Sequence, residues 1–305
     1  MTAAERGFLL LCADLGDGRK PLTPAQLRTL RARVLNRAGD VGDPERTLTA
    51  ADLRGLGYDE AFAARVAELL GRERELSSYL SVAAELGIRP LTRISEGYPG
   101  RLRRLGDAAP AVVFCRGNLS LLNQPGVALV GSRELTPAGE RFARRVGELA
   151  AAEGFVLISG NARGADQTAQ EACLAAGGSV AAVLPDGLQD HTPENDRIVF
   201  LCEWGWHLPM AAYRALERNR LIHALGEKTF VAQSHLSGGT WSGSEENLRR
   251  RWSSLFVHDD GSEGCAALIT LGAVAVKTDS LRSLEALEPA WVPLGSAPEN
   301  TDCIF

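Results

Sequence analysis

The sequence predicts an α/β protein, a mostly parallel sheet with helical crossovers, with a small all-helical N-terminal domain in front of it. Three observations point there. Residues 127–130, 155–158 and 180–184 are short apolar runs, and the first two pass through polar glycine turns into helical sequence. Strands covered by helices on both faces read as continuous apolar runs of this kind. Residues 1–87 instead read as a small all-helical domain, with apolar positions over 69–86 at three- and four-residue spacing, the period of amphipathic helices. Finally, Gly131-Ser132-Arg133 and the segment 159–166 close the first two runs. That puts both turns at the carboxyl edge of the sheet, where open α/β sheets bind ligands.

Composition bounds the possibilities. With 305 residues and 45% apolar content the chain can bury a sizeable core, in two domains or in one with appendages. A net charge of −5 excludes a protein that coats nucleic acid through bulk charge, but not a local basic groove. The six cysteines are scattered and form no CxxC pair, which favours reduced thiols in a cytoplasmic protein over disulfides or zinc. Cys202 and His207 do not make a convincing ligand pair, so no metal is expected. The start, MTAAERGFLLLCADLGDG, has only a short apolar run with acids soon after it, so neither a signal peptide nor a membrane span is expected.

In chain order, Thr23-Pro24 reads as an N-cap with proline at the first helical position. The helix AQLRTLRARVLNRAG ends near Gly39. A loop with Gly42, Pro44 and Thr47 leads to TAADLRGLGYDEAFAARVAELL, two short helices. Residues 69–86 continue the helical pattern through Leu76, Tyr79, Leu80, Ala83 and Leu86, and Gly87 serves as C-cap. Residues 88–277 form the α/β domain. Its first strand is AVVFCRG, preceded by an arginine-rich stretch with Arg89, Arg93, Arg101, Arg103 and Arg104. A solvated face explains these arginines as well as a nucleic-acid contact does. Thr136-Pro137 caps a helix striped by Phe142, Val146 and Leu149 and stopped by Gly154. Ala169, Ala172, Cys173 and Ala176 give the next helix a small-residue face, ended by Gly177-Gly178. Then come strands over 198–203, 229–233, 254–258 and 273–276, with a helix over 210–225. Residues 278–305 form a short helix and an irregular tail. Trp204 and Trp206, two apart near a strand, share a face and read as core packing. Arg249-Arg250-Arg251 reads as a solvated helix end.

Chemistry concentrates in the turns. Helix N-termini present unsatisfied N–H groups that suit an anion. Glycine lets a ligand approach the backbone, and arginine adds a permanently charged bidentate grip. Gly131-Ser132-Arg133 and Ser159-Gly160-Asn161-Ala162-Arg163-Gly164 combine these, and Ser237-Gly238-Gly239-Thr240 is a third such turn without the arginine. Together they read as a phosphate pocket. Asp166 opens a helix, where N-capping or turn stabilisation is favoured over catalysis. Arg218 and Arg220 splay to different sides of their helix, one toward the pocket and the other toward a salt bridge or partner. There is no GxGxxG after a strand, no GxxxxGK[ST], no HExxH and no GxSxG. A dinucleotide dehydrogenase, a P-loop NTPase, a zinc protease and an α/β-hydrolase are thereby excluded, and no cofactor is expected.

The order YPGRLRRL, VALVGSR, ISGNARGAD, GGSVAAVLPDGL, RNRLIHAL and SGGT resembles the DprA/Smf family of bacterial DNA-processing proteins, over roughly residues 88–276. The resemblance implies an extended Rossmann-like, mostly parallel sheet and sequence-independent binding of single-stranded DNA without catalysis. It implies delivery of that strand to the RecA recombinase in natural transformation and recombination, and homodimerisation through the Rossmann-like domain. Carried over position by position, it assigns the DNA-phosphate site to Ser132, Arg133, Ser159, Gly160, Arg163, Gly164, Asp166, Arg218, Asn219 and Arg220. Gly131 and the Ser237, Gly238, Gly239 and Thr240 turn complete the expected site. The chain departs from the family at Ala169-Gln170, where an Ala-His is usual, and at Trp241-Ser242-Gly243, and it shows no clear C-terminal winged helix. Two other readings stand beside this one. One is a phosphoribohydrolase acting on nucleoside monophosphates through Gly238-Gly239-Thr240 with Glu245 or Glu246. The other is a nucleotide-sensing module that has lost the DNA role.

Overall fold

A computed structural model describes residues 1–36 and 47–291. The expected helix end near Gly39, the loop at Gly42 and Pro44, and the tail beyond residue 291 lie outside the described residues. The N-terminal region is helical, with α1 (Ala3–Cys12), which was not anticipated, ahead of α2 (Pro24–Asn36), α3 (Ala50–Gly55), α4 (Glu60–Leu70) and α5 (Glu73–Glu85). Thr23 Oγ1 accepts from the Gln26 N–H at the start of α2, and Gln26 Oε1 accepts in return from the Thr23 N–H.

The continuous helix expected over 69–86 is instead broken between α4 and α5. Arg72, at the break, turns its guanidinium into the protein. It donates to the carbonyl oxygens of Leu10 (2.6 and 3.0 Å) and Ala13 (2.8 Å) and pairs with Asp17 at 3.2 Å. Those carbonyls belong to the end of α1, where helix oxygens lack internal partners and a cation is favourable. Leu22, Leu30, Leu53, Val66 and Leu69 make a cluster of their own among these helices. Leu9, Leu10, Leu76, Tyr79 and Ala83 belong to the core under the sheet. The helical region is thus docked on the sheet through α1 and α5.

The rest of the described chain is a mixed α/β unit: β1 (Ile88–Thr92), β2 (Val112–Gly117), β3 (Gly126–Val130), α6 (Pro137–Ala152), β4 (Val156–Ser159), α7 (Ala165–Ala175), β5 (Ser179–Val183) and β6 (Ile198–Cys202), then α8 (Ala212–Leu225), β7 (Lys228–Val231), α9 (Gly239–Arg250), β8 (Ser254–His258), α10 (Glu263–Thr270) and β9 (Val274–Val276). The strands form one nine-stranded sheet in the order β1-β2-β6-β5-β4-β3-β7-β8-β9. Pairings from β6 to β9 are parallel; β2 meets both β1 and β6 antiparallel. The order β5-β4-β3-β7-β8-β9 reverses direction at β3 and β7, which makes their carboxyl ends the switch point of a Rossmann-like sheet.

β1 was not anticipated, because Arg89, Pro90 and Arg93 mask its short buried pattern. It survives as an edge strand, with Ile88 and Leu91 buried and Pro90 where a missing N–H does least harm. Trp204 and Trp206 follow β6 rather than lying in a strand; Trp206 is buried, 5.0 Å from the Tyr79 ring. The helix expected after residue 278 does not form among the described residues, where only a 3-10 turn (Thr278–Ser280) is present. The segment is pinned by side chains from outside it: Glu153 accepts from the N–H groups of Leu284 and Glu285, and Lys228 Nζ donates to the carbonyls of Leu284, Glu285 and Leu287. Bonds made to that backbone from elsewhere take the place of helical ones.

α6 and α7 cross closely over the sheet because the small face at Ala169 and Cys173 meets Gly147. A Cβ on Gly147 would lie 2.2 Å from the Ala169 carbonyl oxygen. Replacing Gly147 by alanine is expected to push the two helices apart and cost about 1–3 kcal/mol. A fall in the chemical-denaturation midpoint without loss of the folded baseline would show it; an unchanged midpoint would refute the close-packing account.

Candidate functional site

The turn after β3 is built by three loops meeting. Gly131 cannot carry a side chain, since a Cβ there would lie 2.5 Å from that of Ala165 and 3.3 Å from that of Ala232. The Ser132 N–H donates to the Gln233 carbonyl at 3.0 Å, and the Ala165 N–H donates to the Ser132 carbonyl at 3.1 Å. The Gln233 amide accepts from the Thr136 N–H at 2.8 Å and donates to the Glu134 carbonyl at 3.2 Å. Gln233 therefore splices the loops after β3 and β7 at the switch point. Sequence reading placed it in a strand and missed that role.

The turn after β4 is held by Asp166 and Arg218. Asp166 Oδ2 accepts from the N–H groups of Gly160 (3.0 Å) and Ala162 (3.2 Å). Arg218, 5% exposed, donates through Nη1 to the carbonyls of Gly160 (2.6 Å) and Val183, while its Nε is buried without a partner. Gly160 is glycine because a Cβ would lie 2.4 Å from that guanidinium. Gly164 has φ 86°, and a Cβ there would lie 2.5 Å from the carbonyls of Ser132 and Arg133. Asn161 takes the left-handed conformation, φ 56°, which asparagine tolerates better than most residues. Burial pushes the Asp166 carboxyl up to about 6 against the pull of Arg218 and the two N–H groups. Burial likewise brings Arg218 down to about 10, with Asp166 opposing, so both are charged at neutral pH.

Around these turns lies an open cleft in two connected halves. The larger, about 610 Å³, runs from the Gly131–Arg133 turn to the Ser237–Thr240 turn; the smaller, about 350 Å³, runs from Arg133 and Arg163 to Pro185. Arg133 and Arg163 are exposed and form no ion pair among the described residues. The N-termini of α7 and α9 both open beside it, and Asn219 steadies the second by donating to the Gly239 carbonyl at 3.0 Å. The arrangement offers fixed N–H groups, two free guanidiniums and one buried cation, which suits successive anionic groups.

Not every expected residue faces this cleft. Arg133, Arg163, Arg218, Asn219 and the Ser237–Thr240 turn line it. Ser159 is fully buried beneath, its hydroxyl taking a bond from the Gln170 amide, so Gln170 supports the turn from below. Arg220 points away and pairs with Glu203, which gives the two arginines their expected opposite sides. Trp241 packs against the core of the second layer. Glu245 and Glu246 border a separate depression with Arg249 and Leu271, and Glu246 pairs with Arg249 and Arg250, so neither reaches the cleft. The arginines of the 89–116 stretch are mostly structural: Arg101 pairs with Glu227, and Arg104 donates to the carbonyls of Gly226 and Trp252. Met210 and Leu216, both exposed on the rim, were missed. Among the described residues no cluster of side chains is placed to hold a metal ion, and no helix is long and apolar enough to cross a membrane.

Comparison with known proteins converges. Residues 89–286 match the family model described as DNA recombination-mediator protein A. The chain is 32% identical over 223 residues to Protein Smf of Escherichia coli, covering 68% of this chain and 59% of that protein's length. It is 32% identical over 197 residues to DNA processing protein DprA of Streptococcus pneumoniae, covering 60% and 69%. Among solved structures, that of DprA from Streptococcus pneumoniae superposes with a TM-score of 0.66 at 25% identity, covering 88% of this chain and 99% of that one. A structure of DNA processing protein A from Helicobacter pylori, described for its single-stranded DNA binding mode, gives 0.54 at 27% identity, covering 62% and 90%.

The raised Asp166 carboxyl has a measurable consequence. The unfolded chain ionises this group from its ordinary 3.8 and the folded chain only near about 6. Between those values the folded state holds the extra proton, so this group's contribution to stability falls as pH rises. Asp166→Asn removes that fall, and denaturation midpoints across the window are expected to lose this component of their pH dependence. An identical profile in the variant would refute the assignment.

Proposed function

We propose that this chain, which belongs to the DNA recombination-mediator protein A family, binds single-stranded DNA through the cleft at the β3–β7 switch point and reads the backbone more than the bases. The observation that carries this reading is the pairing of unneutralised Arg133 and Arg163 with two helix N-termini on one open cleft. Strand binding without base pairing needs cations and N–H groups spaced along a groove. The cleft is open rather than closed around one ligand, which suits a polymer passing through. The larger half would hold phosphates against its two glycine turns, with the buried Arg218 supplying a charge that costs no side-chain ordering at binding.

The role is one of binding and delivery rather than catalysis. In the cytoplasm the protein would take up single strands during DNA uptake and recombination and hand them to the RecA recombinase, acting as a homodimer. These steps follow the DprA/Smf resemblance and extend beyond the cleft itself.

Arg133→Ala and Arg163→Ala are each expected to weaken binding of a labelled single strand and to reduce the slope of log affinity against log salt by about 0.7, the value for one lost phosphate contact. Arg220→Ala, whose guanidinium faces Glu203, is expected to leave that slope unchanged. Anisotropy titrations at several salt concentrations decide it: two full slopes from Arg133→Ala and Arg163→Ala in folded protein would sink the site.

A further inference from the structure

The smaller half of the cleft contains a carboxylate that phosphate binding does not explain. Asp186 lies on its wall with Arg133, Asn161, Arg163, Pro185 and His191. A negative charge there opposes phosphate, so in a cleft that only gripped a backbone it would weaken binding. It is also held with care. The Gly187 N–H donates to the Leu208 carbonyl and the Leu188 N–H to the Trp206 carbonyl, both at 2.7 Å. Gly187 has no room for a side chain, since a Cβ would lie 2.1 Å from the Trp206 carbonyl oxygen. Arg116 donates to the carbonyls of Leu188, Gln189 and His191 from behind. His191 Nε2 shares a 3.1 Å hydrogen bond with Asp186 Oδ2, and Oδ1 has no protein partner among the described residues. The wall beside it is apolar, with Leu184, Pro185, Met210 and Ala215, and the buried Arg218 borders the same space. Asp186 is close enough to help sustain the Arg218 charge.

We propose that this half of the cleft is a base subsite in which Asp186, positioned by His191, favours guanine. The inference rests on the single-strand reading above. A carboxylate offers two acceptors side by side, and guanine alone presents two adjacent donors, N1–H and the N2 amino group, on its Watson–Crick edge. Cytosine and adenine each place an acceptor next to their amino group, and thymine's N3–H is flanked by two carbonyls that repel the carboxylate. An apolar wall beside a few oriented polar groups is how base and ligand pockets fix identity. About 350 Å³ falls within the size range of small-molecule sites. The protein would therefore bind any single strand by its backbone and hold guanine-bearing ones more tightly.

The test compares short thymidine oligomers with and without one central guanine, and with inosine in its place, on wild-type protein, Asp186→Asn and His191→Phe. Wild type is expected to prefer the guanine oligomer roughly tenfold, the scale of one bidentate base contact, with inosine losing most of the gain. Asp186→Asn should erase the preference while binding all-thymidine at least as well, since a charge facing phosphate is gone. His191→Phe should reduce the preference with little effect on all-thymidine. Equal wild-type affinities for the oligomers, or a preference that survives Asp186→Asn, overturn the subsite while leaving the single-strand reading intact. If no oligomer binds, that reading fails instead. Equilibrium dialysis with dGMP and dTMP then still decides the subsite, which stands if dGMP alone is held by wild type and lost in Asp186→Asn.

Discussion

The guanidinium of Arg218 is buried against the carbonyl oxygens of Gly160 and Val183, which end or follow β4 and β5. Asp166 lies near enough for the two opposite charges to support one another, each carrying the shift that burial imposes on its charged form. The arrangement is costly unless hydrogen bonds satisfy both ions. Here two N–H groups satisfy Asp166 and two carbonyls satisfy one arm of Arg218. The shape of the turn between β4 and α7 depends on that match, and so does Gly160, whose missing side chain makes room for the guanidinium; Gly164 makes room instead for the carbonyls of Ser132 and Arg133 from the turn after β3. A cation fixed in this way keeps its place whether or not a ligand is present, which is the condition for preorganised binding.

The same economy of charge explains why an acidic protein can offer a basic groove. Most arginines are spent on the fold: Arg72 ends α1, Arg101 and Arg104 hold the region after β1 against Glu227 and the loop before β7, and Arg116 clamps the segment behind Asp186. Arg133 and Arg163 have no such partner among the described residues, and they sit on the two turns that border the cleft. Local potential, not net charge, governs what such a groove attracts.

The helical N-terminal region is less separate than its sequence suggests. Its own small core lies among α2, α3 and α4, yet Leu9, Leu76, Tyr79 and Ala83 complete the layer beneath the sheet. Tyr79 against Phe114 and Trp206 covers the antiparallel end of the sheet, which α6 and α7 do not reach. The family model begins at residue 89 and so covers the sheet domain without the helical region.

The parallel strands, their crossover helices and the glycine turns at the carboxyl edge were legible in the sequence, because buried strands and amphipathic helices impose periodicities that survive without tertiary context. Gly131, Arg133, Gly160, Arg163 and Gly164 could be picked out for the same reason: glycine and arginine beside a helix start have few other uses. What sequence could not supply was direction. Arg218 and Arg220 look alike in the chain, and only packing turns one beneath the glycine turns and the other toward Glu203. Ser159 looks like a ligand hydroxyl until Gln170 is seen beneath it. β1 and the split between α4 and α5 are invisible because each depends on partners far along the chain, β2 for one and the end of α1 for the other. Asp186 and Gln233 acquire meaning only when loops more than forty residues apart are brought together. Local pattern determined the elements and the chemistry at their ends; long-range contacts decided which side chains face the cleft, since that depends on neighbours a linear pattern does not contain.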